Sequence, residues 1–279
     1  MNVVVGVDGS AVARNAAAWA AREAVRRGSG LRIVYADPTE HPGKEHLRPN
    51  VARWLDDAVQ HVQAQQPDVK VTSAAIAGSP ERVLVAESAD AELLVVGDRG
   101  FGGFTGLLAG AVAVKVASHA HGSVVVVPDV GDPPTFPTAG PVVAGVDDAE
   151  SAEPVLAEAF RRADDLGEQL HVVHTWEVVG LDLRWLRTRL PAEEVAEQEQ
   201  LFLAEALAGW RERYPNVDVQ RIVNRGSPVN ALINHSTEAQ LVIVGAHGRG
   251  GVAGAHLGST SHKLIHHSPA PLLIVRSRP

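Results

Sequence analysis

Short apolar runs alternate with longer amphipathic stretches along the first 130 residues. The first run, from Asn2 to Val7, ends at Asp8 and predicts a buried strand. Ser10 is the expected N-cap of the helix that follows, and Pro80 suits the first turn of the third helix. Four shorter runs predict further strands at 31–36, 69–75, 93–96 and 124–127. The intervening helices are predicted at 10–27, up to about 65, at 80–89 and up to 120.

Strands that alternate with helices pair in parallel through right-handed crossovers. The order therefore predicts an α/β domain with a doubly wound, five-stranded parallel sheet of the Rossmann-like type. Sheets of this kind bind ligands at the carboxyl ends of their strands, where the strand order reverses. The residues that directly follow the apolar runs are therefore the first candidates for a binding site.

The chain contains this pattern twice. The segments Val4–Asp8 and Leu93–Gly97 recur 139 and 148 residues later, respectively. The difference indicates about nine extra residues in the second half, in the stretch that follows Thr175. A repeat of this length suits a whole domain. We expect two tandem domains at 1–130 and 142–279, joined by a linker rich in Pro, Gly and Asp at 131–141.

Composition and charge exclude several classes of protein. The chain has 25 Lys and Arg against 33 Asp and Glu, and only 4% aromatic residues, so we expect no nucleic-acid partner. The absence of cysteine excludes disulfides and cysteine-ligated metal sites. No apolar run reaches the 18 residues of a membrane span, and the N-terminus resembles a strand more than a signal peptide. We expect no membrane association and a cytoplasmic location.

Glycine-rich segments follow the fourth apolar run of each half. Residues 97–110 and 245–258 each hold six glycines in 14 positions, with the shared spacing Gly-x-x-Gly-x9-Gly. Each lies between a predicted strand and a predicted helix, where backbone N–H groups converge on phosphate and glycine permits close approach. The motif is neither a Walker A sequence nor a dinucleotide fingerprint. A loop without a ligand is the alternative, and two matched copies favour an anion site.

Three motifs together resemble the universal stress protein family. They are Gly6–Ser10 (Gly-Val-Asp-Gly-Ser), Trp19–Ala24 (Trp-Ala-Ala-x-Glu-Ala) and the glycine segments, whose last glycine precedes Ser or Thr in the family. The resemblance covers nearly the whole chain in two copies, as in the tandem members common in actinobacteria. The glycine motif is that of the ATP-binding subgroup. The resemblance therefore implies ATP in each domain, with Mg²⁺ only as a companion of the triphosphate.

The resemblance also implies where the nucleotide lies. Asp8 and Asp147 would contact the ribose or adenine side, and Ala36 and Thr175 would present backbone atoms to the base. The glycine segments would surround the triphosphate. The implied nucleotide-binding residues are Gly6, Asp8, Ala36, Gly97, Arg99, Gly100, Gly102, Gly103, Gly110 and Ala111 in the first half, and Gly145, Asp147, Thr175, Gly245, His247, Gly248, Gly250, Gly251, Gly258, Ser259 and Thr260 in the second.

The two halves depart differently from the family pattern. Ala111 stands at the Ser or Thr position of the first half, whereas the second half keeps Ser259. A hydrogen bond to a charged group contributes about 1.5–3 kcal/mol, so its loss weakens binding roughly tenfold or more. Asp148 and Ala149 stand where the first half has Gly-Ser, which adds a negative charge and removes a helix cap. We expect both sites to bind ATP, the second more tightly at its phosphate end.

Nucleotide binding alone does not imply catalysis, because phosphoryl transfer needs cations and a placed nucleophile. Neither glycine segment contains lysine, so we expect no catalytic residues. His262 and His266, one turn apart on the last predicted helix, suit an exposed face better than a metal site. The leading hypothesis is a nucleotide-dependent regulator of stress or dormancy. A slow ATP hydrolase or nucleotidyl-transferring enzyme is the alternative, and a structural module with empty loops is the third hypothesis.

The last strand of each half is expected at the edge of its sheet. Exposed apolar edges promote pairing with other strands, and the family resemblance implies pairing of this strand across a two-fold axis. In a tandem chain, the segments 124–127 and 272–275 can pair with each other. We therefore expect intramolecular pairing of the two domains, with a homodimer of whole chains as a further option.

Overall fold

The computed structural model describes residues 1–38, 51–100, 110–131, 137, 139–176, 192–248 and 257–276. The chain divides into two compact units. Unit 1 comprises Met1–Phe136 and Ile265–Pro279, and unit 2 comprises Pro137–Leu264. The C-terminal segment thus groups with unit 1, although the repeat assigns it to the second domain. The domain limits expected from the repeat stay a prediction.

Unit 1 contains a sheet in the order β3-β2-β1-β4-β5-β10. All neighbours pair in parallel except β5 and β10, which pair antiparallel. Its elements are β1 (Asn2–Val7), α1 (Ala11–Arg26), β2 (Gly30–Asp37), α2 (Val51–Gln65), β3 (Val71–Ala77), α3 (Pro80–Glu87), β4 (Ala91–Gly97), α4 (Ala111–His119), β5 (Val124–Val127) and, from the C-terminal segment, β10 (Leu272–Val275).

Unit 2 repeats this arrangement with parallel strands in the order β9-β6-β7-β8. In both units the first strand of the repeat lies between the second and the fourth, which is the point where the strand order reverses. The elements are β6 (Val142–Val146), α5 (Ala149–Leu166), β7 (Leu170–Trp176), α6 (Ala192–Ala206), α7 (Trp210–Arg213), β8 (Val219–Arg225), α8 (Pro228–Ser236), β9 (Leu241–Gly245) and the first six residues of α9 (Ser259–His267).

Small side chains bring α1 close to the centre of the sheet. Its buried face is built mainly from alanines, several of which are fully inaccessible to solvent, and the helix packs on β1 and β4. Ser10 caps the helix, since its Oγ accepts a hydrogen bond from the Ala13 amide at 3.1 Å. The N-cap prediction is confirmed. The close packing sets the helix start directly beside Asp8, at the carboxyl end of β1.

The predicted α/β class is confirmed, and β1 and β5 have the predicted bounds. The structure differs at β3, which begins at Val71, because Val69 is buried in the preceding turn and extends the apolar pattern beyond the strand. β5, the last strand of the first half, pairs with β10, as expected for the segments 124–127 and 272–275. It lies between β4 and β10, and this pairing satisfies backbone groups that an edge strand of four valines would leave open.

Candidate nucleotide site

A pocket of about 340 Å³ opens at the carboxyl ends of β6, β7 and β9 in unit 2. Its volume lies near the lower end of the range of roughly 300–1,000 Å³ that is usual for small-molecule sites. The apolar lining residues are Val146, Val155, Val173, Pro228, Leu232, Val244 and Leu257. The other lining residues are Gly145, Asp147, Thr175, Gly245, His247, Gly248, Gly258, Ser259, Thr260 and Ser261.

The first two glycines of the motif are required by close packing. A Cβ atom on Gly248 would clash with the carboxylate of Asp147. A Cβ atom on Gly245 would lie 3.0 Å from the carbonyl oxygen of His247. The approach of Gly248 to Asp147 places the start of the glycine segment against the end of β6. This part of the motif therefore has a structural reason in addition to any contact with a ligand.

The end of the glycine segment returns to its start. The Gly258 amide donates a hydrogen bond to the carbonyl oxygen of Ala246 at 2.7 Å. The buried Ser261 hydroxyl donates to the carbonyl oxygen of Gly245 at 2.7 Å. Both bonds fix the beginning of α9 beside the end of β9. The Ser261 hydroxyl hydrogen is therefore used within the protein, and this role has no counterpart at Ala113 of unit 1.

The start of α9 gives the pocket an anion-attracting end. Ser259 and Thr260 line the pocket from the first turn of this helix. The first amides of a helix have no partner within it, and they carry the positive end of the helix dipole. The pocket thus combines an apolar lining with backbone donors. This combination suits a ligand that has an apolar ring and an anionic group.

A buried pair holds the strand ends that carry Asp147 and Thr175. His174 is fully buried; its Nδ1 lies 3.0 Å from the carbonyl oxygen of Val146, and its Nε2 lies 2.9 Å from Glu199 Oε2. A carbonyl oxygen only accepts, so Nδ1 carries a proton. The pair ties the ends of β6 and β7 to α6. Sequence reasoning missed it because Glu199 lies 25 residues away on a helix.

Unit 1 closes its glycine segment in the same way. The Gly110 amide donates to the carbonyl oxygen of Asp98 at 2.6 Å, as Gly258 does to Ala246 in unit 2. A Cβ atom on Gly100 would lie 2.6 Å from Asp8 Oδ2, which matches the contact of Gly248 with Asp147. The described parts of the two segments therefore have one architecture, as the motif predicts.

The turns after the first strands differ between the units. In unit 1, Asp8 Oδ1 accepts a hydrogen bond from the Ser10 amide at 3.0 Å, and Gly9 between them has φ +85°. The indole of Trp54 packs against Gly9, at a place where a Cβ atom would not fit. Asp148 stands in unit 2 where unit 1 has Gly9. No non-glycine residue in the described ranges has positive φ, so the backbone conformation at Asp148 differs from that at Gly9.

Asp98 makes the loop of unit 1 electrostatically different from that of unit 2. Its carboxyl is buried, and burial raises its pKa to about 6. Its Oδ1 has no hydrogen-bond partner among the described residues. The neighbouring Arg99 lies 3.6 Å from Asp129 Oδ2, and the residue equivalent to Asp98 in unit 2 is Ala246. Sequence reasoning missed this group, although a charged residue directly after an apolar strand was a visible signal.

The other residues implied to bind nucleotide lie within strands, near strand ends or at the start of a helix. Gly6 and Gly145 lie within β1 and β6, and a Cβ atom on either would crowd a leucine, which is Leu84 of α3 for Gly6 and Leu232 of α8 for Gly145. Ala36 and Thr175 lie near the ends of β2 and β7, and Ala111 is exposed at the start of α4. Gly97 ends β4, where a Cβ atom would lie 2.8 Å from a valine of α1. The predicted residues outside the described ranges are Gly102, Gly103, Gly250 and Gly251.

Within the described ranges, no group of three or more His, Asp or Glu side chains is placed to hold a metal ion. On α9, His262 is exposed and His266 is half-buried. None of the helices in the described ranges is both long enough and apolar enough to cross a membrane.

The fold and the pocket define a tandem α/β protein whose second unit carries a strand-end pocket lined by the described ends of a glycine segment. The model of the universal stress protein family matches residues 1–128 and 139–276. The chain belongs to the universal stress protein family and contains two copies of its domain. The resemblance inferred from the motifs is thereby confirmed.

Similar proteins cover nearly the whole chain. Universal stress protein Rv2623 of Mycobacterium tuberculosis is 36% identical over 295 residues, covering 99% of this chain and 96% of the relative. Universal stress protein Mb2019 of Mycobacterium bovis is 32% identical over 304 residues, covering 99% and 95%. A universal stress protein from Archaeoglobus fulgidus has the same fold, with a TM-score of 0.63, 19% identity and coverage of 99% and 98%.

Proposed function

We propose that the pocket of unit 2 binds an adenine nucleotide and that its ligand is ATP. One observation carries this proposal: the pocket joins apolar strand-end residues to the first turn of α9, beside a glycine segment closed by its own hydrogen bonds. A nucleobase favours apolar contact, and a triphosphate favours backbone N–H groups and the positive end of a helix dipole. Membership of a family with an ATP-binding subgroup supports the choice of ATP.

The proposal assigns each part of the ligand to a part of the pocket. The base lies among Val146, Val173 and Leu232, and its edge meets the backbone of Thr175. Asp147 faces the ribose. The phosphates meet the backbone of the motif residues Gly245, His247, Gly248, Gly258, Ser259 and Thr260, with Mg²⁺ as their companion.

We propose a second, weaker site in unit 1, at Asp8, Ala36 and the glycines of the first segment. Two features weaken it. Ala111 lacks the hydroxyl that Ser259 offers, and the buried carboxyl of Asp98 adds negative charge near the phosphate end. Arg99 also lies beside Asp129, so part of its charge is already compensated.

The proposed role is a nucleotide-dependent stress regulator with little or no catalysis. The glycine segments contain no lysine, and the repeated Lys115 lies 3.6 Å from Glu81 on a neighbouring helix. The proposal places the regulator in the cytoplasm, where ATP is available. We also propose that the two domains comprise residues 1–130 and 142–279 and that they pair within one chain. A homodimer of whole chains is the proposed assembly that nucleotide occupancy changes. Slow ATP hydrolysis is the alternative.

The test is to denature the purified protein and to identify and quantify any released nucleotide per chain. Calorimetric titration of nucleotide-free protein with ATP then measures affinity and stoichiometry. We expect one tightly bound equivalent from unit 2 and a weaker one from unit 1. Absence of both retained nucleotide and calorimetric binding would overturn the proposal, and it would favour a structural module.

Matched variants assign the two sites. Asp147→Ala should remove the tight equivalent, and Asp8→Ala, its counterpart in unit 1, should remove only the weaker one. If both variants lose the same equivalent, the assignment is wrong. Multiple turnovers of ATP that Asp147→Ala abolishes would favour the hydrolase instead.

A further inference from the structure

Two equivalent positions carry different chemistry in the two units. In unit 1, Arg32 of β2 makes two hydrogen bonds to Glu87 of α3, at 2.7 and 3.1 Å. The equivalent residues of unit 2, at the repeat offsets of 139 and 148, are His171 of β7 and His235 of α8. Their rings meet edge to face, with centroids 6.5 Å apart. A charge-compensated pair in one unit is therefore replaced by two imidazoles in the other.

The histidine pair lies on the surfaces that also line the pocket. Side chains alternate along a strand, so His171, Val173 and Thr175 share one face of β7, and the last two line the pocket. On α8, Leu232 also lines the pocket and lies one turn before His235. The interface between β7 and α8 therefore has the imidazoles at one end and the proposed nucleotide site at the other.

We propose that His171 and His235 form a pH-responsive pair that regulates the pocket of unit 2. When both imidazoles are protonated, their repulsion weakens the packing of α8 on β7, and nucleotide binding weakens with it. The regulatory part rests on the nucleotide-binding function proposed above. The Arg32–Glu87 pair of unit 1 carries opposite charges at neutral and mildly acidic pH, so we expect unit 1 to lack this response.

The surroundings of His171 favour its neutral form. Both of its ring nitrogens are buried and have no hydrogen-bond partner among the described residues. Burial lowers the pKa of His171, the charge of His235 lowers it further, and Asp218 opposes these effects. The partners of His171 on β6 and β8 are Val143 and Gln220, which do not titrate.

The sign of the pH effect follows from this lowered pKa. The unfolded chain protonates His171 near the ordinary histidine value of about 6.5, whereas the folded protein resists protonation until a lower pH. The unfolded state therefore binds more protons in this window, and the free energy of unfolding falls as the pH falls below about 6.5. The full contribution of the neutral pair is present above this pH.

The test exchanges the chemistry of the two units. The exchanged variant, His171→Arg together with His235→Glu, installs the pair of unit 1 in unit 2. The wild type and the exchanged variant are compared at pH 7.5 and 5.5 without nucleotide. The wild type should lose more in its unfolding temperature than the exchanged variant, by at most about 3–6 °C. Hydrogen exchange in peptides of α8 should accelerate at pH 5.5 in the wild type only. Equal pH responses in the two proteins would overturn the proposal.

ATP titration tests the link to the pocket. The wild-type affinity for ATP should fall about fivefold or more between pH 7.5 and 5.5, relative to the change in the exchanged variant. No ATP binding by the wild type at pH 7.5 would refute the proposed function, and the nucleotide-free measurements would still test the pair. Should the exchanged variant fail to fold, His235→Gln removes one of the two charges and should reduce the same pH responses.

Discussion

Substitution of Gly248 by alanine tests whether the packed start of the glycine segment shapes the pocket. The added Cβ would clash with Asp147 Oδ2 and would also lie 3.3 Å from Cγ and 3.4 Å from Cβ of Asp147. Most of the aspartate side chain is therefore in the way, and rotation of its carboxylate alone does not relieve the contact. Inserting a methyl group into such a site costs typically about 1–3 kcal/mol.

We expect Gly248→Ala to weaken ATP binding by about tenfold or more, which corresponds to about 1.4 kcal/mol. Gly100→Ala is the matched control in unit 1. There the Cβ would meet only the tip of Asp8, at 2.6 Å from Oδ2, while Cγ lies 3.7 Å away. Asp8 can rotate away at smaller cost, so the control should lose less stability. Calorimetric titration and thermal unfolding measure the two effects.

A double variant separates packing from ligand contact. Asp147→Ala with Gly248→Ala removes the clash, so it should recover much of the stability lost by the single variant. It should not recover ATP binding, because Asp147 is proposed to contact the ribose. If Gly248→Ala folds normally and its affinity for ATP stays within about twofold of the wild-type value, the packing of Gly248 on Asp147 does not shape the pocket.

Three further predictions concern the two glycine segments. Ser261→Ala should lower the free energy of unfolding by about 0.5–1.5 kcal/mol in denaturant titrations, because the hydrogen bond to Gly245 is lost; unchanged stability would contradict its anchoring role. Since the pKa of Asp98 is raised from 3.8 to about 6, the wild type should lose at most about 3 kcal/mol of stability as the pH rises from about 4 to 6. Asp98→Asn should lack this loss, and parallel stability profiles would argue against a buried carboxyl. Ser259→Ala should weaken ATP binding in unit 2 roughly tenfold, and Ala111→Ser should strengthen it in unit 1 by a similar factor, in site-resolved titrations; no change in either variant would refute a phosphate contact.

Local patterns account for the success of the element predictions. The valine runs of β1 and β5 are short, the first ends at Asp8 and the second lies between Ser123 and Pro128, so their limits are visible along the chain. The repeated glycine spacing is also visible along the chain, although the contacts that require Gly100 and Gly248 are with Asp8 and Asp147, which are distant in sequence. The failure at Val69 has the opposite cause, since a turn residue can be as buried as a strand residue.

Contacts between distant residues explain what sequence reasoning missed. The pKa of Asp98 depends on its burial and on Asp129, which lies 31 residues away and is connected to it by no local pattern. The His174–Glu199 bond joins a strand to a helix across the extra residues of the second half. Alignment of the two repeats shows that Arg32 and Glu87 are replaced by His171 and His235. Only the packing of a strand on a helix shows that the two residues of each set are in contact.

The sequence by itself determined the α/β class, the duplication, the family and the segments at which a nucleotide site would be sought, because these depend on periodicity and on motifs within short stretches. The tertiary structure decided the antiparallel direction and register of the β5–β10 pair, that a pocket forms where β6, β7 and β9 end, and which buried charges surround each glycine segment. These features arise when residues far apart in the chain share one desolvated environment, in which the energy of a charge or an unpaired strand depends on its neighbours in space.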